Sequence, residues 1–173
     1  MNVFIQPGAL MFDSVWNDSC SLYKMDKTFT AVISMQIDAP VAAVWQGLTN
    51  PAMISKYLHG TNVETDWKVG SPILFSGNWN GKEYVDKGVI MEIQNEKLLR
   101  YTWLSSMSGL EDKEENYSVI SFVIRPEKEG THLKLTQENI ATEEGKEQSQ
   151  KNWEAVLEEF RRIVSEKSEV GSR

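Results

Sequence analysis

The sequence predicts an α+β fold: a curved antiparallel sheet, in the order β-α-α-β6-α, wrapped around a long C-terminal helix. Three observations carry that prediction. An alternating strand, Ala31 to Ile37, runs straight into a proline-opened helix, Val41 to Thr49. A series of strands with short polar connections follows. The clearest amphipathic helix, Lys151 to Val164, comes last. Helices kept to one face of an antiparallel sheet define the α+β class. A sheet curved around a helix can also enclose a pocket.

Each element has its own local reason. Ile33, Met35 and Ile37 alternate with Ser34 and Gln36, the pattern of a half-buried strand. In the next segment Val41, Val44, Trp45 and Leu48 fall on one helical face. Pro40 suits the start of that helix, where its missing N–H costs no hydrogen bond. Asp38 is placed to accept from the free amides of the first turn. Pro51 ends the helix, because the residue before a proline is pushed out of the helical region. A second short helical turn follows near Ala52–Tyr57, then a weak strand over 62–65. Ile73 to Trp79 and Tyr84 to Ile93 form a hairpin about Asn80-Gly81, two residues that tolerate positive φ. A bulge near Met91-Glu92 switches which residues of the returning strand face inward. Strands Leu98 to Trp103 and Tyr117 to Arg125 flank a polar loop, and Thr131 to Glu138 is the last strand. Trp153, Val156, Leu157, Phe160, Ile163 and Val164 then recur at helical spacing. The charged tail from Ser165 is expected to fray.

The domain organisation reads as an extension over 1–27, a single domain over 28–164 and a tail over 165–173. At 173 residues the chain is long enough to bury roughly 70% of its extended surface, without a disulfide or metal. The extension carries Val3, Phe4, Ile5, Leu10, Met11, Phe12, Val15 and Trp16 with no clean period. That is too apolar for a solvated tail. Part of it is expected to dock on the body or on a second subunit, as in a homodimer, and Met25 stands as an alternative start.

Composition excludes several functions. Cys20 is the only cysteine, which leaves no intramolecular disulfide and no Cys-based zinc site. A net charge of −7 and the lack of a Lys/Arg run disfavour nucleic acid and anionic membranes. No apolar stretch approaches the ~20 residues of a membrane span, and no basic, apolar leader opens the chain. A cytoplasmic location is the expectation.

Taken in order, these motifs resemble the START-like, or Bet v 1-like (SRPBCC), superfamily and its helix-grip fold. More narrowly, they are similar to the C-terminal domain of the activator of the heat-shock-protein-90 ATPase. The residues that carry the likeness begin with Ile37-x-Ala39-Pro40-Val41-x-x-Val44-Trp45-x-x-Leu48-Thr49-Asn50-Pro51. Trp67-Lys68-Val69-Gly70, Gly88-x-Ile90 and Leu99-x-Tyr101-x-Trp103 follow. Thr131-x-Leu133-x-Leu135-Thr136-Gln137 and Asn152-Trp153-x-x-x-Leu157 complete the set. The chain departs from the family at Tyr57-Leu58, where a tryptophan is common, and at Val69-Gly70-Ser71, where Val-Gly-Gly is common. Both departures are expected at a cavity mouth.

The chemistry-bearing residues are sparse. His59 and His132 are the only histidines, and neither has a partner at a metal-ligand spacing. No metal, cofactor or catalytic residue is expected, and Cys20 has no activating constellation. The aromatic residues say more. Phe75 and Trp79, Tyr101 and Trp103, and Phe122 all have the inward parity of their strands, and Trp153 projects from the last helix. They read as the lining of a cavity between sheet and helix, with Gln137 and Asn152 as its polar contacts. Gly77 and Gly88, also inward, are expected to leave space.

The leading expectation is non-catalytic binding of an apolar or amphipathic small molecule. The resemblance implies two others. One is a co-chaperone-like interaction module, although that co-chaperone uses a further N-terminal domain for which this length leaves no room. The other is a cyclase-type enzyme, or a stress or resistance protein that sequesters its ligand. The lack of an acid/base pair within the aromatic set speaks against catalysis.

Overall fold

The computed structural model describes residues 28–170, with side chains through Glu166. The apolar extension, Cys20 and the last residues of the tail lie outside the described residues. One antiparallel sheet of seven strands forms the body, in the order β1-β7-β6-β5-β4-β3-β2. The strands are β1 (Phe29–Ile37), β2 (Asn62–Glu64), β3 (Pro72–Trp79), β4 (Lys82–Gln94), β5 (Leu98–Trp103), β6 (Ser118–Glu127) and β7 (Gly130–Ile140). Helices α1 (Val41–Thr49) and α2 (Pro51–Tyr57) connect β1 to β2, and α3 (Glu143–Val170) closes the chain. The order is the predicted β-α-α-β6-α, and the fold is a helix-grip fold.

Helix α1 has the predicted bounds, but its cap differs. Pro40 itself is the N-cap, with extended backbone and no side-chain hydrogen bond. Asp38 therefore caps nothing: it stands two residues before the cap, too early for its carboxylate to serve the first turn. Pro51 follows the end of α1 and also opens α2, where Asn50 Oδ1 accepts from the Ala52 amide at 2.9 Å. A buried hydrogen bond from Thr131 Oγ1 to the Ala39 carbonyl, 2.7 Å, ties the β1–α1 connection to β7.

The β3–β4 hairpin turns at Asn80 and Gly81 with φ of 51° and 82°, as their residue types dictate. In β4 the register with β5 shifts between Ile90 and Glu92. Asp86, Gly88 and Ile90 face the core before the shift, and Ile93 packs on it afterwards. The bulge thus moves the inward set from even to odd positions.

The core lies between the concave face of the sheet and the inner face of α3. Leu157, Phe160 and Val164 are almost wholly buried there. Helix α3 starts eight residues before the predicted Lys151 and runs past Val164 to Val170. Its first two turns carry no apolar period and were invisible to a search for one. Thr142 Oγ1 accepts from the Gly145 amide at 3.0 Å, and Glu143 and Glu144 sit where the helix dipole favours negative charge.

Gly77 and Gly88 do face inward, but the space beside each is occupied. A Cβ at Gly88 would lie 1.6 Å from the Thr102 carbonyl oxygen, because the β5 backbone passes directly over it. A Cβ at Gly77 would lie 2.6 Å from the Tyr84 hydroxyl. Backbone cannot rotate out of the way, whereas a side chain can. Gly88→Ala should therefore cost ~3 kcal/mol or more and Gly77→Ala only ~1 kcal/mol. Urea midpoints of the two variants check the ranking; equal losses would contradict the proposed approach of β5.

Candidate ligand cavity

At the outer end of α3 the sheet and helix part, leaving a cavity of about 340 Å³. Its floor and walls come from three neighbouring strands. Phe75 and Trp79 project from β3, Tyr84 and Asp86 from β4, and Tyr101 and Trp103 from β5. Ile120 of β6 closes the back, and Asn152 and Trp153 of α3 form the roof. Leu58, His59 and Thr61 of the α2–β2 connection, with Met107 of the β5–β6 loop, complete the rim. Strand alternation explains the wall: each pair of wall residues on a strand is two or four positions apart and so shares a face.

The aromatic rings form a continuous series across the sheet. Phe75 and Tyr101 have ring centroids 5.6 Å apart, and Tyr101 and Phe122 6.4 Å apart. Phe122 meets Trp153 edge-on at 6.0 Å. At the mouth His59 and Trp79 lie 6.0 Å apart with tilted rings. Toward the interior the space narrows to a void of about 20 Å³ bordered by Phe122, Leu99 and Tyr57. The inner half of the helix–sheet interface is thus solid core.

Of the eight residues expected at the site, six line the cavity: Phe75, Trp79, Tyr101, Trp103, Asn152 and Trp153. Phe122 lies one layer deeper, against the small void. Gln137 is not on the lining. Its Oε1 accepts from Trp153 Nε1 at 2.7 Å, and its Nε2 donates to Ser118 Oγ at 3.4 Å. Gln137 therefore orients the Trp153 ring and leaves no polar atom for a ligand. Of the two family departures, Leu58 does reach the rim, but Val69-Gly70-Ser71 does not; that turn instead bonds to the β4 backbone at Ile90.

Sequence reading missed Asp86, His59, Thr61, Tyr84 and Met107. His59 is exposed, and the turn carries it over the mouth with a φ of 51°. Asp86 had a usable signal: it shares parity with inward Gly88 and Ile90. The acid/base groups His59 and Asp86 thus share one cavity with the aromatic set. The Asp86 carboxylate is buried, and its Oδ1 accepts from the Ser106 amide at 2.8 Å and the Ser106 hydroxyl at 3.1 Å. Thr61 and Tyr84 share a hydrogen bond of 2.6 Å between their hydroxyls. Among the described residues no group of three or more His, Cys, Asp or Glu could hold a metal ion. Among them, too, no helix is long and apolar enough to cross a membrane.

Fold and cavity together define a helix-grip protein with an open, aromatic-walled pocket. Residues 38–165 match the family model described as "Activator of Hsp90 ATPase homolog 1-like protein", and the chain belongs to that family. A solved protein of Cytophaga hutchinsonii is 37% identical, with a TM-score of 0.71 over 80% of this chain and 95% of that one. A Chromobacterium violaceum protein is 21% identical, with a TM-score of 0.65 over 79% and 96%. CalU16 of Micromonospora echinospora is 21% identical, with a TM-score of 0.63 over 78% and 73%. The last two likenesses show the fold alone. No curated protein matches this sequence.

Two measurements follow from the site. Removing the acceptor for the Trp153 N–H in Gln137→Leu should cost ~1–3 kcal/mol, while Gln137→Glu keeps an acceptor and should lose less. Denaturant unfolding of both variants would show it. The second concerns alkali. Burial raises the Tyr101 phenol above its ordinary value, and burial, with Tyr101 close by, raises Tyr57 as well. Such phenols keep their protons in the folded state after the unfolded chain has lost them, so the native state binds more protons. Stability should then fall as pH rises past about 10, the ordinary tyrosine value. Unfolding followed by circular dichroism, with phenolate absorbance recorded in parallel, should show both phenols ionising only as the protein unfolds.

Proposed function

We propose that this protein binds an apolar or amphipathic small molecule in the cavity between the sheet and α3, without transforming it. The observation that carries the reading is the cavity itself: about 340 Å³, walled by aromatic rings, and open to solvent. Small-molecule sites are concave and mostly apolar, with a few placed polar groups, and run from about 300 Å³ upward. Phe75, Trp79, Tyr101, Trp103 and Trp153 are the contacts we assign to the ligand's apolar part. Asn152, at the rim, contributes a polar edge. Phe122 and Gln137 act from behind, by holding Tyr101 and Trp153.

The family's description supports a second reading, a co-chaperone-like protein interaction. In that case the aromatic surface would be a docking site, with Trp79 at its most exposed point. The concave aromatic walls and the α3 roof favour the small ligand.

Binding can be read from tryptophan emission, because three indoles face the same space. An apolar fluorescent probe should bind at one equivalent and quench or shift that emission. Asn152 is exposed and lines the rim, so Asn152→Trp narrows the mouth without crowding the core. That variant should weaken probe affinity by about tenfold, or ~1.4 kcal/mol. Lys128→Ala, in the exposed β6–β7 turn, should leave it unchanged. Absence of saturable binding to the wild-type protein would move function to the outer surface.

A further inference from the structure

We propose that the ligand carries a positively charged amine, and that Asp86 receives it. This deepens the reading above and rests on it.

The argument begins with an unequal carboxylate. Asp86 lines the cavity and is only 8% exposed. Both of its hydrogen bonds arrive at one oxygen, Oδ1, from the amide and hydroxyl of Ser106. Ser106 has nothing more to give, since its hydroxyl oxygen accepts from the Val85 amide at 3.1 Å. Among the described residues Oδ2 has no hydrogen-bond partner, and Asp86 takes part in no ion pair. Its chain neighbour Lys87 is turned away and paired with Asp112. Buried carboxylates are ordinarily matched by a cation or by several donors. Here half of the carboxylate is left for something the protein does not supply.

The rest of the lining points the same way. No lysine or arginine reaches the cavity, so an anionic ligand would meet a carboxylate with no compensating charge. One hydroxyl pair on the lining offers an acceptor. Thr61 spends its proton on the Leu58 carbonyl at 2.6 Å, so Tyr84 must be the donor in their shared bond. The Tyr84 oxygen is thereby left as an acceptor. The Trp153 N–H is spent on Gln137. Tyr101, 6% exposed, lines the same cavity. The walls themselves present the π faces that attract cations in desolvated sites. An ammonium on an aromatic or alicyclic body fits all of these features. Its N–H donors would meet Asp86 Oδ2, and its carbon framework the rings.

The test uses three probes of one shape and three charges: naphthylmethylammonium, naphthylmethanol and naphthoate, each titrated against the full-length protein and followed by tryptophan emission. The ammonium should bind at least about tenfold more tightly than the alcohol, the factor of one charge-assisted hydrogen bond. Naphthoate should bind most weakly. Asp86→Asn, which keeps the shape and removes the charge, should bring ammonium and alcohol to within about twofold of each other. Equal binding of ammonium and alcohol to the wild-type protein would overturn the charge assignment and leave the cavity reading standing. An ammonium preference that survives Asp86→Asn would also overturn it. If none of the three binds, the cavity reading falls with it. The wild-type ranking stands alone should the variant fold poorly.

Discussion

The contact on which the rest of this structure depends is the seating of Phe160 against Gly47. A Cβ at Gly47 would lie 2.6 Å from the Phe160 ring, so only glycine lets α3 come this close to α1. Tyr57 meets the same ring edge-on with centroids 5.0 Å apart, and its hydroxyl donates to the Gly47 carbonyl at 3.3 Å. Three elements are thereby locked around one fully buried ring. Burying a phenylalanine removes on the order of 150–250 Å² from water, and a site this crowded tolerates no change of volume. The inner half of α3 has one position on the sheet.

The outer half is held differently. Where Phe160, Leu157 and Val164 fill the interface, the next inward residue toward the helix start is Trp153, and it is only partly buried. Its ring is fixed by an edge contact with Phe122 and by the hydrogen bond to Gln137. A polar side chain in the sheet thus does what apolar packing does further in. It also explains why Gln137 tolerates burial: both ends of its amide are engaged. The cavity exists because α3 is clamped at its inner half and only pinned at its outer half. A helix packed equally along its length would have filled the space.

Much of this was legible in the sequence because single residues carried strong local rules. Pro40 and the Asn50-Pro51 pair fixed both ends of α1, and Asn80-Gly81 fixed the hairpin. The change of inward parity across Met91-Glu92 revealed the bulge. The strand-borne part of the lining followed from alternation, and six of the eight expected residues meet in one space. What alternation cannot show is distance between elements. Parity placed Gly77 and Gly88 facing inward but did not show that Tyr84 and the β5 backbone fill those places. It placed Gln137 inward but could not say that Trp153 would claim it. The first turns of α3 were missed because they carry no apolar side chain, so the signal was a cap rather than a period. Asp86 was missed for a different reason: only its parity with Gly88 and Ile90, which are core, marks it in the sequence.

That last omission bears on how the site could work. A protein of this size is held by a small difference between large opposing terms, so a carboxylate only 8% exposed beside an aromatic wall is a standing cost. Ser106 relieves part of it by presenting two donors to Oδ1, and it does so from the β5–β6 loop. Lys87 and Tyr117 anchor the same loop through Asp112, whose carboxyl they hold below the usual carboxylate range. The rim that carries Met107 is thus tied to the strand that carries Asp86. A ligand that completes the carboxylate's bonding would relieve the remaining cost and tighten the loop through Ser106. It would also displace weakly held water from aromatic surface, which favours binding. Occupancy then stabilises the fold by mass action, in proportion to how far ligand concentration exceeds the dissociation constant. Ser106 thus joins the pocket's carboxylate, the β4 backbone and the β5–β6 loop through direct hydrogen bonds.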